Sequence, residues 1–390
     1  MLFLAIIEVK YIHQEMKIMQ YRRFKDFNTS LLGFGCMRFP TLEDGTIDEE
    51  KTFEMLDLAL DNGVNYFDTA YPYHQGQSEI VLGKWLQTID RDSIYVTSKM
   101  PVWKINSIEE FDKILDEQLE KLQVDHLDFY LLHALSKQRW EHVLEMGVLD
   151  HLKDVLDSGK IRRIGFSFHD EYEVFEEIIK AYPWDFCQIQ YNYMDNNYQA
   201  GDKGYNLAKD LGIPVVVMEP VRGGLLANVP DDIDEMFREY NNWSNASYAL
   251  RWVMNHDNVM CVLSGMSNLE QVKDNLITAD TFMPLTDQEM AIIDKARDMF
   301  LARTKVNCTA CRYCMPCPFG VDIPQNFKVY NEGHIYKKAD LNKERYLMME
   351  EAIRSTACKK CQACVTKCPQ HINIPAELAK ISEEYNEADK

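Results

Sequence analysis

Eight of the chain's eleven cysteines fall in two short runs. The first is Cys308, Cys311, Cys314 and Cys317, followed by Pro318; the second is Cys358, Cys361, Cys364 and Cys368, followed by Pro369. Thiolates spaced C-x2-C-x2-C, with one more cysteine before a proline, suit a cubic iron–sulfur cluster. Three sulfurs on one short loop can reach three irons of a cube, while the fourth cysteine points elsewhere, usually to a neighbouring cluster. Two such runs predict two [4Fe-4S] clusters and one-electron chemistry. The same eight thiolates could instead hold two structural zinc ions, although zinc ribbons usually pair two separated C-x2-C knuckles. A second group of residues could carry proton and hydride chemistry. Asp68, Lys99 and His133 each stand at the end of a short apolar run, and Tyr71, Tyr73 and His74 follow just beyond Asp68. Taken singly, each could merely cap a strand.

The elements that must position these groups form a regular series. Short apolar runs at 31–37, 66–69, 94–97, 127–132, 163–167, 186–190, 214–218 and 260–263 lack surface-type alternation, as expected of parallel strands buried on both faces. Amphipathic stretches at 49–62, 77–87, 107–122, 149–158, 172–181, 204–211, 245–254 and 269–277 lie between and after them. Several end on turn signals, as at Asn62-Gly63, Ser158-Gly159 and Leu211-Gly212. Eight strands alternating with eight helices predict an α/β fold, a (β/α)8 TIM barrel. An open doubly wound sheet would need G-x-G-x-x-G after an early strand, and GFGCMR at 33–38 lacks the third glycine. In a barrel, Asp68, Lys99 and His133 all sit at the C-terminal ends of strands, where catalytic groups collect. One more amphipathic helix is expected at 286–302. The cysteine region repeats itself: CPFGVDIP at 317–324 matches CPQHINIP at 368–375, which predicts a small helical and loop domain with two related halves. The expected divisions are an N-terminal extension over 1–18, a barrel over 19–300, a cluster domain over 301–380 and a tail over 381–390.

With 62 acidic against 42 basic side chains, the net charge is −20, which argues against a nucleic-acid partner. Cys36, Cys187 and Cys261 lie in apolar segments and read as small buried thiols. Reduced cysteines fit a cytoplasmic location. The opening MLFLAII is too short to span a membrane and lacks the basic region and cleavage site of a signal peptide, so no membrane partner is expected.

FDTAYPYH at 67–74, VTSK at 96–99 and YLLH at 130–133 resemble the signature blocks of the aldo/keto reductases. The likeness runs from about residue 19 to about residue 275. With the cysteine region, the chain is similar to the ferredoxin-fused branch of that superfamily. The resemblance implies a catalytic set of Asp68, Tyr73, Lys99 and His133, hydride exchange between NADP or NAD and a carbonyl or alcohol, and a small-molecule substrate. A phenol titrates near 10, and an ammonium beside it favours the phenolate. Lys99, held by Asp68, would supply that charge to Tyr73, while His133 would hydrogen-bond the substrate oxygen. His74 departs from the glycine many relatives carry. For the dinucleotide, family positions fall on Ser167, His169 and Gln190, with Gln188 as an alternative register. They continue with Met218 in place of an aromatic ring, and with Gly223 and Gly224 in the loop MEPVRGGL at 218–225. In LSGMSNLEQVKDN at 263–275, they fall on Gly265, Gln271 and Asn275. Gly265 and Gln271 occupy the places where NADP-selective relatives carry Lys or Arg, so the nucleotide choice stays open, with Arg222 or Lys273 as substitutes. Trp103, Trp140 and Tyr198 could line a substrate pocket or serve as packing.

By the ferredoxin pattern, one cluster takes Cys308, Cys311, Cys314 and Cys368, and the other takes Cys358, Cys361, Cys364 and Cys317. Cys314 and Cys317 are separated by two residues where the pattern has three, so an exchange of these two remains open. Two other functions compete with a redox enzyme: an electron-transfer or regulatory subunit that binds nicotinamide without turning over a carbonyl, and a zinc-stabilised carbonyl reductase. An aromatic or aliphatic replacement within the four catalytic positions would favour the regulatory subunit, and none is present. A hydride carries two electrons and a cluster one, which calls for a flavin or radical intermediary between them; no flavin motif is evident, and a redox partner protein is left open.

Overall fold

The computed structural model describes residues 19–308 and 312–386. The extension over 1–18, the expected cluster ligand Cys311 and the end of the tail lie outside the described residues. Two compact units emerge, one comprising residues up to 228 together with 243–290, the other 229–242 together with residues from 291 on.

In the first unit, eight parallel strands close into a barrel: β3 (Leu32–Gly35), β4 (Tyr66–Asp68), β5 (Tyr95–Met100), β6 (Phe129–Leu135), β7 (Ile164–Phe168), β8 (Phe186–Gln190), β9 (Val215–Met218) and β10 (Val259–Ser264). Neighbours follow chain order, and β10 closes on β3. The eight expected strands are these eight, with ends displaced by at most three residues. The parallel sheet explains why they read as unbroken apolar runs: its strands are buried on both faces. The register sets Asp68 beside Thr97 and Lys99 beside Leu131, so the three strand ends carrying Asp68, Lys99 and His133 are adjacent.

Helices α1 (Glu49–Asp61), α2 (Gln77–Leu86), α3 (Ile108–Leu122), α4 (Lys137–Glu145), α5 (Val148–Asp157), α6 (Tyr172–Ala181), α7 (Gly201–Asp210), α9 (Asn245–Met254) and α10 (Leu269–Asp280) connect the strands or follow them, and α8 (Asp231–Tyr240) belongs to the second unit. Side-chain caps fix several starts: Asp48 accepts from the Lys51 N–H, Ser107 from Glu110 and Asn268 from Gln271. Helices α4 and α8 lie outside the amphipathic stretches expected from the sequence.

An antiparallel hairpin not expected from the sequence precedes the barrel, β1 (Tyr21–Phe24) and β2 (Phe27–Ser30). Phe27 packs edge-on against Phe129 at 5.0 Å, within a buried cluster that includes Tyr66, Phe186 and Met260. Tyr66, Phe129 and Phe186 are the first residues of their strands, so the hairpin plugs the N-terminal mouth and leaves the C-terminal mouth for chemistry.

In the second unit, α11 (Asp287–Leu301) leads to α12 (Ile323–Ile335), α13 (Ala339–Met348) and α14 (Ile374–Asn386). The sequence repeat reappears here: both CPxx[V/I]xIP segments end by starting a helix at Ile-Pro, α12 at Ile323 and Pro324, α14 at Ile374 and Pro375. Proline in the first helical turn removes an N–H that has no partner there. Val321, Ile323, Phe327, Tyr346, Ile374, Leu378 and Ile381 form the buried core, and Cys308, Cys314, Cys317, Cys358, Cys364 and Cys368 pack against it.

Candidate functional site

A cavity of about 440 Å³ opens at the C-terminal ends of the strands. Asp68 ends β4, Lys99 lies near the end of β5 and His133 lies on β6, while Tyr73 opens the short turn after β4. Lys99 is 1% exposed; its Nζ donates to Asp68 Oδ1 at 2.6 Å, to the Thr69 carbonyl at 2.7 Å and to Tyr73 Oη at 3.4 Å. Asp68, Tyr73 and His133 face the cavity, with Lys99 behind them. The Tyr73 and His133 rings stand edge-on at 6.1 Å, and Trp103 lies 5.1 Å from His133 on another side. Arg139 in turn stacks on Trp103 at 4.4 Å.

Burial sets the protonation states. It pushes the Tyr73 phenol above its ordinary value, and the Lys99 ammonium opposes this without overcoming it. The sequence expectation that Lys99 would lower Tyr73 is thus corrected in its net direction: the isolated site holds a phenol, not a phenolate. Burial also works against the Lys99 ammonium, but Asp68 and Tyr73 outweigh it and hold Lys99 above its usual range. His133 falls well below its usual range, through burial first and then the positive charge of Lys99, so its ring is neutral at pH 7. Its Nδ1 is buried with no hydrogen-bond partner among the described residues.

The backbone is strained beside these groups. His74 and Gln75 follow Tyr73 at φ 50° and 57°, Ala134 follows His133 at φ 53°, and Glu219 follows Met218 at φ 56°. All are left-handed conformations that non-glycine residues adopt only under constraint. For Ala134 the constraint is visible. The β6–β7 ladder shifts register between Leu132 and Leu135, and the freed Ala134 N–H donates to Ser167 Oγ at 2.6 Å. A second support escaped the sequence reading. Glu79 on α2 is fully buried and accepts from Ser98 Oγ and Gln118 Nε2, each at 2.6 Å. Gln118 on α3 also donates to the Lys99 carbonyl and accepts from Tyr130 Oη.

Ser167, His169, Met218, Gly223, Gly224, Gly265, Gln271 and Asn275 all line the same cavity. Gln190 does not: its amide donates to Asp195 at 2.7 Å, while Gln188 lines the cavity and donates to Asp68 Oδ2 at 3.2 Å. Asp195 also receives Arg222 at 3.0 Å, so Arg222 is occupied in holding its own loop. That loop carries Gly223 and Gly224 at φ 63° and 92°, where a side chain would be strained. Lys273 is exposed and absent from the lining. The cation that does line the cavity is Arg38, which the sequence reading passed over. A Cβ on Gly265 would lie 2.7 Å from Arg38 Cγ, so the arginine crosses over Gly265 toward Gly223. A guanidinium without a carboxylate partner among the described residues, beside two left-handed glycines, fits the phosphates of a nicotinamide nucleotide. Trp140 is buried and donates to Glu177, which makes it packing.

In the cysteine module, Cys308, Cys314 and Cys368 line one small cavity together with Ile323, Pro324 and Phe327. Burial raises the Cys364 thiol, and the neighbours that add to this are Cys358, Cys361 and Cys317. The described cysteines thus sort into two groups, with Cys314 beside Cys368 and Cys317 beside Cys364, and Cys311 is outside the described residues. Among the described residues no group of three or more His, Cys, Asp or Glu is arranged to hold a single metal ion.

Comparison with known proteins agrees with this geometry. Residues 31–298 match the aldo/keto reductase family, and residues 307–372 match a 4Fe-4S dicluster domain. An oxidoreductase of Bacillus subtilis is 26% identical over 290 residues, 63% of this chain and 86% of its own. The NADH-specific methylglyoxal reductase of Escherichia coli is 25% identical over 279 residues, 60% of this chain and 84% of its own. The holo form of an aldo-keto reductase from Bacillus halodurans superposes with a TM-score of 0.60 at 28% identity, covering 71% of this chain and 96% of that one. The chain belongs to the aldo/keto reductase family and carries a 4Fe-4S dicluster domain after its barrel.

Proposed function

We propose that the protein is an oxidoreductase that exchanges hydride between NAD(P)(H) and a small carbonyl or alcohol, and that its module holds two [4Fe-4S] clusters. The observation that carries the first part is the buried Lys99 ammonium bonded at once to Asp68 and Tyr73, beside a neutral His133. When bound, the nicotinamide supplies or takes the hydride. Tyr73 gives its phenolic proton to the carbonyl oxygen, and Lys99 stabilises the phenolate left behind. Asp68 keeps Lys99 charged, and His133 hydrogen-bonds the same oxygen to orient it. Alcohol oxidation uses the same groups in reverse. Arg38, Gly223, Gly224, Gly265 and Gln271 would hold the phosphate-bearing part of the nucleotide. The similarity to an NADH-specific methylglyoxal reductase favours short aldehydes as first substrates to try.

For the second part, one cluster is assigned to Cys308, Cys311, Cys314 and Cys368 and the other to Cys358, Cys361, Cys364 and Cys317. The grouping of the described thiols supports this and argues against the exchange of Cys314 and Cys317. A test of both parts starts from protein purified without oxygen. It is supplied with NADH or NADPH and methylglyoxal, and its iron and sulfide are measured. Nucleotide oxidation that depends on aldehyde, with about eight irons and eight sulfides per chain, is the expected result. Nucleotide binding with no turnover of any aldehyde, ketone or alcohol offered would leave a nicotinamide-binding electron-transfer subunit, and zinc without sulfide would leave a structural module.

A further inference from the structure

The chain is acidic almost throughout, but residues 354–376 carry Arg354, Lys359, Lys360 and Lys367 and no acidic side chain. The three lysines are interleaved with Cys358, Cys361, Cys364 and Cys368, and all three are exposed, as is Cys361 itself. Other lysines, such as Lys84, Lys180 and Lys209, have a carboxylate within 2.8 Å. Among the described residues Lys359, Lys360 and Lys367 have none. The loop that starts at Cys317 adjoins the same face. Gly320 sits against the Ala352 carbonyl, and the Asp322 N–H donates to the Ile353 carbonyl at 3.1 Å. This loop carries Phe319, 45% exposed, next to the cysteine grouped with Cys364. Of the nearby acids, Asp322 faces Arg312 and caps α12, and Glu350 and Glu351 stand just before the basic stretch.

Three exposed lysines without carboxylate partners among the described residues, with an exposed aromatic side chain on a loop bonded to the segment just before them, are the composition of a protein-docking face. A basic patch on an anionic molecule selects an anionic partner, because the net negative charge of the chain repels such a partner elsewhere and steers it to that patch. The exposed thiol of Cys361 brings one group of cysteines within reach of whatever docks. We propose that this face binds an acidic one-electron carrier protein, and that Cys358, Cys361, Cys364 and Cys317 hold the cluster through which electrons enter or leave. This rests on the reading of the module as an iron–sulfur domain. In the entering direction, the reduced carrier loses one electron and that cluster gains it, with no proton transferred and no bond formed or broken. Two such transfers equal the electron content of one hydride.

The test uses the full chain with its clusters and, as probe, a purified acidic two-[4Fe-4S] ferredoxin. Wild type is compared with a triple variant, Lys359→Glu, Lys360→Glu and Lys367→Glu, and with a control carrying the same charge change in the barrel unit, Lys153→Glu, Lys180→Glu and Lys209→Glu. Binding to immobilised ferredoxin and stopped-flow reduction by it are both read. The patch variant is expected to bind and react at least ~10-fold more slowly at low salt, the difference shrinking toward about 0.5 M salt. The control keeps wild-type rates. Iron content and visible spectrum show that the variants retain their clusters; a patch variant that lost them would be replaced by the milder Lys→Gln set, which makes half the charge change and is expected to give about half the effect on a logarithmic scale. Equal binding and equal rates in both variants would overturn the docking face. Wild type that ignores ferredoxin but binds phosphatidylglycerol vesicles through the same lysines would overturn it in favour of a lipid surface. A chain without iron and sulfide would instead remove the reading beneath it, which the metal analysis separates from the other outcomes.

Discussion

Tyr73, Lys99 and His133 make different demands at the scale of single residues. Tyr73 must carry a proton to give one to a carbonyl, and burial keeps that phenol protonated beyond its ordinary range. Carbonyl reduction is therefore expected to stay level from about pH 6 to 9 and to decline only as pH rises past the ordinary phenol value of about 10. His133 adds no acidic limb, because its pKa is pushed far below neutrality. A pH profile of kcat/KM for aldehyde reduction checks this, and a loss of rate between pH 7 and 8 would point to another proton donor. Tyr73→Phe keeps the ring and removes the proton, so kcat should fall by about 10²–10⁴ with the nucleotide Kd unchanged. Arg38 makes the opposite separation. It touches none of the proton-transferring groups, and a charge-assisted hydrogen bond is worth about 1.5–3 kcal/mol. Arg38→Met should weaken NAD(P)H binding about tenfold or more while kcat at saturation changes little, as fluorescence titration would report. Arg38 was passed over in the sequence because GFGCMR at 33–38 lacks the third glycine of a nucleotide turn; the fold brings it across Gly265, from the other end of the barrel sequence.

At the scale of elements, the strands were legible and their fine placement was not. Parallel strands buried on both faces leave unbroken apolar runs, so all eight could be located within three residues. The hairpin of β1 and β2 left no such trace, since β1 alternates exposed and half-buried over only four residues. Gln188 and Gln190 illustrate the same limit: alternation gives both side chains one face, but only Gln188 lies low enough to reach Asp68. The network of Glu79, Ser98 and Gln118 was equally hidden, because polar residues on amphipathic helices read as surface. Gln118 is fully buried and serves Glu79, the Lys99 carbonyl and Tyr130 at once. Gln118→Ala strands several buried polar groups and should cost about 2–4 kcal/mol of stability. Because it also loosens the strand segment holding Lys99, kcat should drop more than nucleotide affinity. Urea unfolding together with steady-state kinetics would check both, and a loss of less than ~1 kcal/mol would mean the network is not a support.

The whole molecule combines two stabilising strategies. The barrel unit is large enough to rest on its apolar interior, with Phe34, Leu56, Leu131, Phe166 and Val217 all fully buried. The module is small, and six of its described cysteines take part in its packing. A domain that orders its ligands only around metal gains much of its folding free energy from that metal. The eight cysteines made this legible from sequence, whereas helices α12 to α14 were not, being interrupted by cysteine loops that carry no helical periodicity. Removing iron with a chelator under reducing conditions should therefore unfold the module selectively. Calorimetry of the loaded protein should show the module's transition lost after chelation, while the barrel's transition stays. Nucleotide affinity should stay within about twofold, because every residue lining the nucleotide cavity belongs to the barrel unit. If chelation instead abolished nucleotide binding or melted both units together, the barrel would depend on the metal domain for its own fold, and the independence of the two units would be wrong.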